Sequence, residues 1–400
     1  GTVITINSPG SSASGFSNWE ATLWHEFCHV VTLTATKNRM PRWLSEGISV
    51  YEEAQRNPVW GQRMTPAYRE RILVEKKVTP VGTLSSAFLN AESGADLMFA
   101  YYQSSLVVEF FIEEYGQDAF NAILAELATG TPINPSIVKH GEELPALEAK
   151  FLVFVRARAE AYGGDVDWAQ PEDLDARNLD GVVVFMNANP KNFWARQIFT
   201  ISRLAAEDWQ AAADSAQLLI DLFPDFVEGQ NGYMLLARAH RAMDNTNEEA
   251  AALRELAKRS ADVAPAYQRL LDIDLKAENW EQLLANADRQ MAINPFIKSA
   301  HHCKACAAQA LGKNDDAIVS YEKLLQLGPA SPADVNFQLA RLFQENDGDR
   351  AKRHLLDSLV DAPRFREAHD MLLELAKPDA EPPELGVPKP APVPDPTPRN

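Results

Sequence analysis

Five prolines set the strongest constraint on how this chain can fold: Pro190, Pro224, Pro295, Pro329 and Pro363 are spaced by 34, 71, 34 and 34 residues. Small residues keep the same beat, with Ala212, Ala317 and Ala351 each twelve positions before a proline. A fixed period of this length marks a helix–turn–helix unit that cannot bury its apolar face alone and must stack on its neighbours. The clearest copy runs from His301 to Pro329 and carries Ala305, Gly312, Ala317 and Tyr321. Five units are predicted from about 193 to 363, the second irregular around Asp244-Asn245-Thr246-Asn247, because the spacing of 71 exceeds two periods by three residues. Arg364 to Ala376 then reads as a capping helix, and the proline-rich stretch Pro378 to Asn400 as a disordered tail.

The first part of the chain is not periodic and carries a different signal, His25-Glu26-Phe27-Cys28-His29. On a helix, side chains at i and i+4 share a face, so His25 and His29 form a two-nitrogen claw. Seventeen positions on, Glu46 sits in Pro41-Arg42-Trp43-Leu44-Ser45-Glu46-Gly47 and is the candidate third ligand. Zinc suits imidazole and carboxylate, and a catalytic zinc keeps its fourth position for water, so one zinc per chain is expected. Glu26 lies about 100° round the helix from His25, off the claw but placed to act as a general base. Ser17 and Glu20 read as a capping box that starts this helix, and Trp24, Phe27, Val30, Val31 and Leu33 predict burial on most of its sides. Gly47, beside a lone carboxylate in an apolar helix, predicts close approach of another helix.

These runs, with Ala100-Tyr101-Tyr102-Gln103-Ser104 and Phe110 to Gly116, resemble the gluzincin metallopeptidases, and among them the bacterial peptidase MA-like domains that precede tetratricopeptide repeats. The resemblance spans residues 1 to 160. It implies a mainly α protein: a gluzincin-like helical catalytic domain with a small N-terminal strand element, followed by an α-solenoid of tetratricopeptide repeats. It also implies that His25, His29 and Glu46 bind zinc, that Glu26 is the base, and that a tyrosine supports the oxyanion. Tyr101 matches the family position, with Tyr102 adjacent. No carboxylate stands at Ser49 or Val50, where some gluzincins orient a histidine, so Glu52, Glu53 or a backbone carbonyl is expected to do so. A Gly-x-Met-Glu-Asn run, the mark of the aminopeptidase branch, is missing from the sequence. The expected domains are 1–165 for the peptidase, 166–192 for a linker and the start of the solenoid, 193–376 for the repeats and 377–400 for the tail. Val3-Ile4-Thr5-Ile6 alternates as a strand would.

Charge narrows the partners. Residues 1 to 100 hold 9 acids and 9 bases, so the net charge of -18 arises entirely after residue 100. Nucleic acid, which needs a basic face, is excluded there. The expected partners are a peptide or protein substrate and a protein held in the solenoid groove, with Gln268, Asp272, His302, Cys306 and Asn336 lining it by resemblance to tetratricopeptide grooves. Cys303 and Cys306 read as packing residues on a repeat helix rather than a second zinc site, and His140 as a surface residue. No apolar run spans a membrane. The chain opens at Gly1 without a methionine, which leaves room for a removed signal or anchor, and a periplasmic or exported location in a bacterium is expected. The reading is a zinc metallopeptidase with a binding solenoid; the competing one is a non-catalytic scaffold whose metallopeptidase-like domain is silent.

Overall fold

The computed structural model describes residues 6, 8, 18–171, 174–175 and 177–376. Among them are twenty α-helices and no strand. The strand expected at Val3 to Ile6 falls outside the described residues except at Ile6, which belongs to no element, and the tail from Pro378 lies outside them altogether. The chain divides into two compact units, Gly1–Leu311 and Gly312–Asn400.

The first eight helices are α1 Trp19–Ala35, α2 Arg42–Arg56, α3 Pro66–Leu73, α4 Ser85–Leu89, α5 Gly94–Tyr115, α6 Gln117–Thr129, α7 Ile133–His140 and α8 Leu144–Ala161. Residues 117 to 160 are thus two shorter helices and one of 18 residues. The centre of this region is α2 packed along α5. Trp43, Leu44 and Ile48 meet Phe99, Leu106 and Val107 in one core that extends to Ile123, Leu147 and Phe151. Gly47 is what lets the two helices close: a Cβ there would stand 2.6 Å from the Ser104 carbonyl oxygen, a distance no side chain can hold. The close approach predicted from Gly47 is therefore present.

Two expectations for α1 need correction. Its N-cap is Asn18, whose side-chain oxygen accepts from the Ala21 N–H at 3.0 Å, so the helix begins one residue later than a Ser17 cap would place it. Nor is α1 buried on most sides. Leu23, Phe27 and Val31, at i, i+4 and i+8, are exposed, with Phe27 at 51% and Val31 at 53%. The buried positions are Ala21, Cys28 and Thr32, because α1 packs mainly on α2 and touches α6 and α15, while the Leu23, Phe27 and Val31 stripe stays open.

After α9 Leu179–Ala188 the helices come in pairs: α10 Phe193–Ala205 with α11 Trp209–Leu222, α12 Gly232–Ala242 with α13 Thr246–Arg259, and α14 Ala264–Lys276 with α15 Trp280–Ile293. They continue as α16 Lys298–Ala310, α17 Asn314–Gln326, α18 Pro332–Phe343, α19 Gly348–Asp361 and the capping helix α20 Arg366–Leu375. Each proline of the period stands just past the end of a helix, where its lack of an N–H and its fixed φ stop continuation. The three-residue turns inside the first four repeats reuse one backbone solution. Glu207, Asp244, Glu278 and Gly312 all adopt positive φ, between 54° and 71°.

The irregularity in the period lies elsewhere than expected. The turn at Asp244-Asn245 is ordinary, whereas Gly232 begins eight positions after Pro224 and the helices after Pro190, Pro295 and Pro329 begin three positions on. The extra length is a loop, 223–231, partly offset by α12 having 11 residues against 13 in α10, α14 and α16. The stretch expected as a linker is also more ordered than its composition suggests. Trp168 packs against Phe193 at 4.9 Å and Phe223 at 5.3 Å between ring centroids, and Asp167 pairs with Asn192 in an isolated bridge. His140 is half-buried, with Nε2 3.0 Å from Glu126, because α7 turns it inward rather than to solvent.

Candidate metal centre

Two helices that cross near their polar faces build the site. α1 supplies His25, Glu26 and His29, and α2 supplies Ser45, Glu46, Ser49 and Glu53, which meet the two histidines, with Arg42 one turn before Glu46. His25 and His29 stack one turn apart with ring centroids 4.8 Å apart and planes at 86°. Their Nε2 atoms converge on one oxygen: Glu46 Oε2 is 3.3 Å from His25 and 3.2 Å from His29. A carboxylate oxygen of Glu26 lies within 4.8 Å of a ring nitrogen on each histidine. Trp43, Leu44 and Ile48 on the far side of α2 are in the core, which fixes the rotation of Glu46.

The other nitrogen of each ring is anchored. His25 Nδ1 is 2.5 Å from Glu53 Oε1, and His29 Nδ1 is 2.9 Å from Ser45 Oγ and 3.2 Å from Ser49 Oγ. An Nδ1–H held by an acceptor leaves the Nε2 lone pair free for a cation, which is the tautomer a metal-ligating histidine needs. Glu53 thus fills the orienting role that Ser49 and Val50 lack a carboxylate for. It was one of three alternatives left by the sequence, and the two serines were not among them.

Electrostatics point the same way. Burial alone would lower the His25 pKa, but its hydrogen bonds to Glu46 and Glu53 outweigh that and raise it to about 9. Burial likewise works against the Glu46 anion, yet hydrogen bonds from His25 and His29 hold its carboxyl well below the usual range. Three carboxylates, Glu26, Glu46 and Glu53, crowd two imidazoles, so the cluster demands positive charge, and a divalent cation meets the demand better than one proton. The donor set of two imidazoles and a carboxylate fits zinc.

Between the adjacent tyrosines, geometry chooses. Tyr101 faces the claw, its ring 6.5 Å from that of His25, and its hydroxyl accepts from Arg42 at 3.2 Å. Tyr102 is buried and stacked on Tyr68, with centroids 4.9 Å apart. Burial, then the charge of Glu46, raises the Tyr101 pKa, so the phenol stays protonated. Arg42 was not foreseen: it also reaches Glu46 Oε1 at 3.3 Å and lies over Phe88, tying Glu46 to the tyrosine. Asn18 was also missed. Its backbone N–H donates to Asp262 Oδ1 at 2.9 Å and its amide to the Ala261 carbonyl at 3.3 Å, so the start of α1 is held by the turn before α14.

The solenoid positions expected to line a groove fare unevenly. Asp272 and His302 are exposed, Gln268 is engaged by Ser299 at 3.0 Å, and Cys306 lies 3.6 Å from His302. Asn336 is buried and bonded to His354 at 3.0 Å, because a repeat helix turns it into the packing. Cys303 is buried, its thiol pushed up to about 12, as a packing residue would be.

The helical domain and its claw define a class, and comparison agrees: residues 4–157 match the family model of the Peptidase MA superfamily. The chain therefore carries a peptidase MA domain, followed by tetratricopeptide-type repeats whose period and helix pairs have been described. YrrB, a tetratricopeptide-repeat protein solved with "an unusual peptide-binding site", overlaps 48% of this chain and 97% of its own at 13% identity and a TM-score of 0.39. A tetratricopeptide repeat protein from Parabacteroides merdae overlaps 68% of this chain and 100% of its own at 11% identity and a TM-score of 0.26. No curated protein matches the chain in sequence. Among the described residues, no helix is long and apolar enough to cross a membrane.

Proposed function

We propose that the protein is a zinc-dependent peptidase whose repeats bind a peptide or protein. The observation that carries the reading is the convergence of His25 Nε2 and His29 Nε2 on the same Glu46 oxygen, at 3.3 and 3.2 Å. His25, His29 and Glu46 would hold the zinc, which when bound supplies Lewis acidity toward a water and a scissile carbonyl. Glu26 is the base: its carboxylate takes the proton of the attacking water and returns it to the leaving amine. Tyr101 donates its phenol proton in a hydrogen bond to the developing oxyanion, which in a dry site is worth a few kcal/mol. Arg42 keeps that hydroxyl in position through its 3.2 Å bond. Glu53, Ser45 and Ser49 keep the imidazoles turned toward the cation.

Mass-spectrometric metal analysis tests the site. The purified chain should hold about one zinc, lost or sharply weakened in His25→Ala and Glu46→Ala. Glu26→Gln should keep the zinc and lose hydrolysis of a peptide library. Protein that takes up no zinc even after reconstitution would sink the peptidase reading and leave the solenoid as the working part.

A further inference from the structure

The loop 223–231, which breaks the 34-residue period, has a use. It forms one wall of a cavity of about 570 Å³ whose other walls are the turn before α14 and, from the peptidase side, the segment around Arg63 with Tyr68 and Met98. Met98, Met234 and Val263 give it an apolar lining, and Met98 is 48% exposed. Two carboxylates stand at the same cavity, Glu228 from the loop and Asp262 from the turn. Among the described residues no donor reaches Glu228, and Asp262 accepts from the Asn18 N–H alone. Both carboxylates keep exposed surface, yet the surrounding walls withdraw enough water to raise their pKa values. Arg63 is the one cation lining the cavity; it donates to the carbonyls of Arg259, at 2.7 Å, and Val59, at 3.0 Å, and hydrogen-bonds neither carboxylate, so its charge offsets theirs only through space.

We propose that this cavity binds the cationic side chain of an extended peptide, an arginine or lysine flanked by apolar residues. The charge would seat between Glu228 and Asp262, and the flanking residues would lie on the two methionines. The surplus of acids after residue 100 favours such a partner at a distance as well as in contact. The site is separate from the claw and does not depend on peptidase activity.

The test uses the full chain with chelator present, so that no peptide is cleaved. Fluoresceinyl-Leu-Ala-Arg-Leu-Ala-amide, labelled at its N-terminus, is titrated by anisotropy beside its citrulline counterpart, which keeps the shape and loses the charge. The arginine peptide should bind at least about tenfold more tightly, the scale of a hydrogen bond to a charged group. Glu228→Gln should remove most of that preference while leaving citrulline binding and the thermal midpoint unchanged. A benzophenone placed beside the arginine should cross-link to Met98 or Met234. Equal affinity for the two peptides, no binding of either, an unchanged preference in Glu228→Gln, or cross-links confined to other helices would each overturn the proposal.

Discussion

The claw and the repeats solve opposite problems. In the repeats one short-range solution recurs: a helix, a three-residue turn with one left-handed residue, a second helix and a proline. At the claw nothing repeats. Six ionisable groups, His25, Glu26, His29, Arg42, Glu46 and Glu53, are drawn together on two helices, and all but Glu26 are held by hydrogen bonds or ion pairs specific to them. Stability in a solenoid is roughly a sum of neighbouring terms, so a local error stays local. A polar cluster withdrawn from water is costly unless every member is satisfied, so there an error spreads.

Gly47→Ala is the harshest way to break the comparison, because its Cβ would meet the Ser104 backbone at 2.6 Å and force α2 off α5. We expect a loss of about 3 kcal/mol in urea unfolding, with zinc affinity falling as Glu46 moves. Next comes Glu53→Gln, which should leave the unfolding midpoint nearly intact but lower zinc affinity by about 10–100-fold in competition with a chromophoric chelator, since it removes the anchor of His25. If zinc affinity held, the specificity claimed for each contact would be wrong. In the repeats the effects should be smaller and confined. Gly312→Ala finds open space but sits at φ +71°, and should cost about 1 kcal/mol. Glu278→Gly, at φ +54° in the equivalent turn, should be stabilising by about 0.5 kcal/mol or neutral, read from thermal midpoints. Smallest of all, iodoacetamide near pH 8 should modify Cys306 first. The Cys28 and Cys303 thiols are pushed up to about 11 and about 12 by burial, and both residues are buried.

This contrast explains what could be read from the chain alone. A period of 34 residues fixes helix pairs wherever it holds, and the spacing of His25 and His29 fixes their common face on any helix. Gly47 was readable because its cost in a helix interior asks for a reason, and Ser104 is the reason. Periodicity could report that three residues were extra between Pro224 and Pro295 but not which loop took them, since five added before α12 and two lost within it give the same total. The exposed stripe Leu23, Phe27 and Val31 was misread because hydrophobicity predicts a need for cover, not its presence. Arg42, Ser45 and Ser49 escaped notice because their roles depend on how α2 is rotated against α1, which tertiary packing decides. Trp168 reads as part of a linker until Phe193 and Phe223 are seen around it.

One contact also sets a schedule. The N–H of Asn18 is received by Asp262, 244 residues further along the chain. During synthesis at roughly 5–20 residues per second, Asp262 is made on the order of tens of seconds after the helix that carries both histidines, whose own cap, the Asn18 side chain, is local. Over that interval the two imidazoles and their acidic neighbours exist without the brace that later squares the helix's first turn. The brace on the start of α1 therefore forms only after the second repeat has been made.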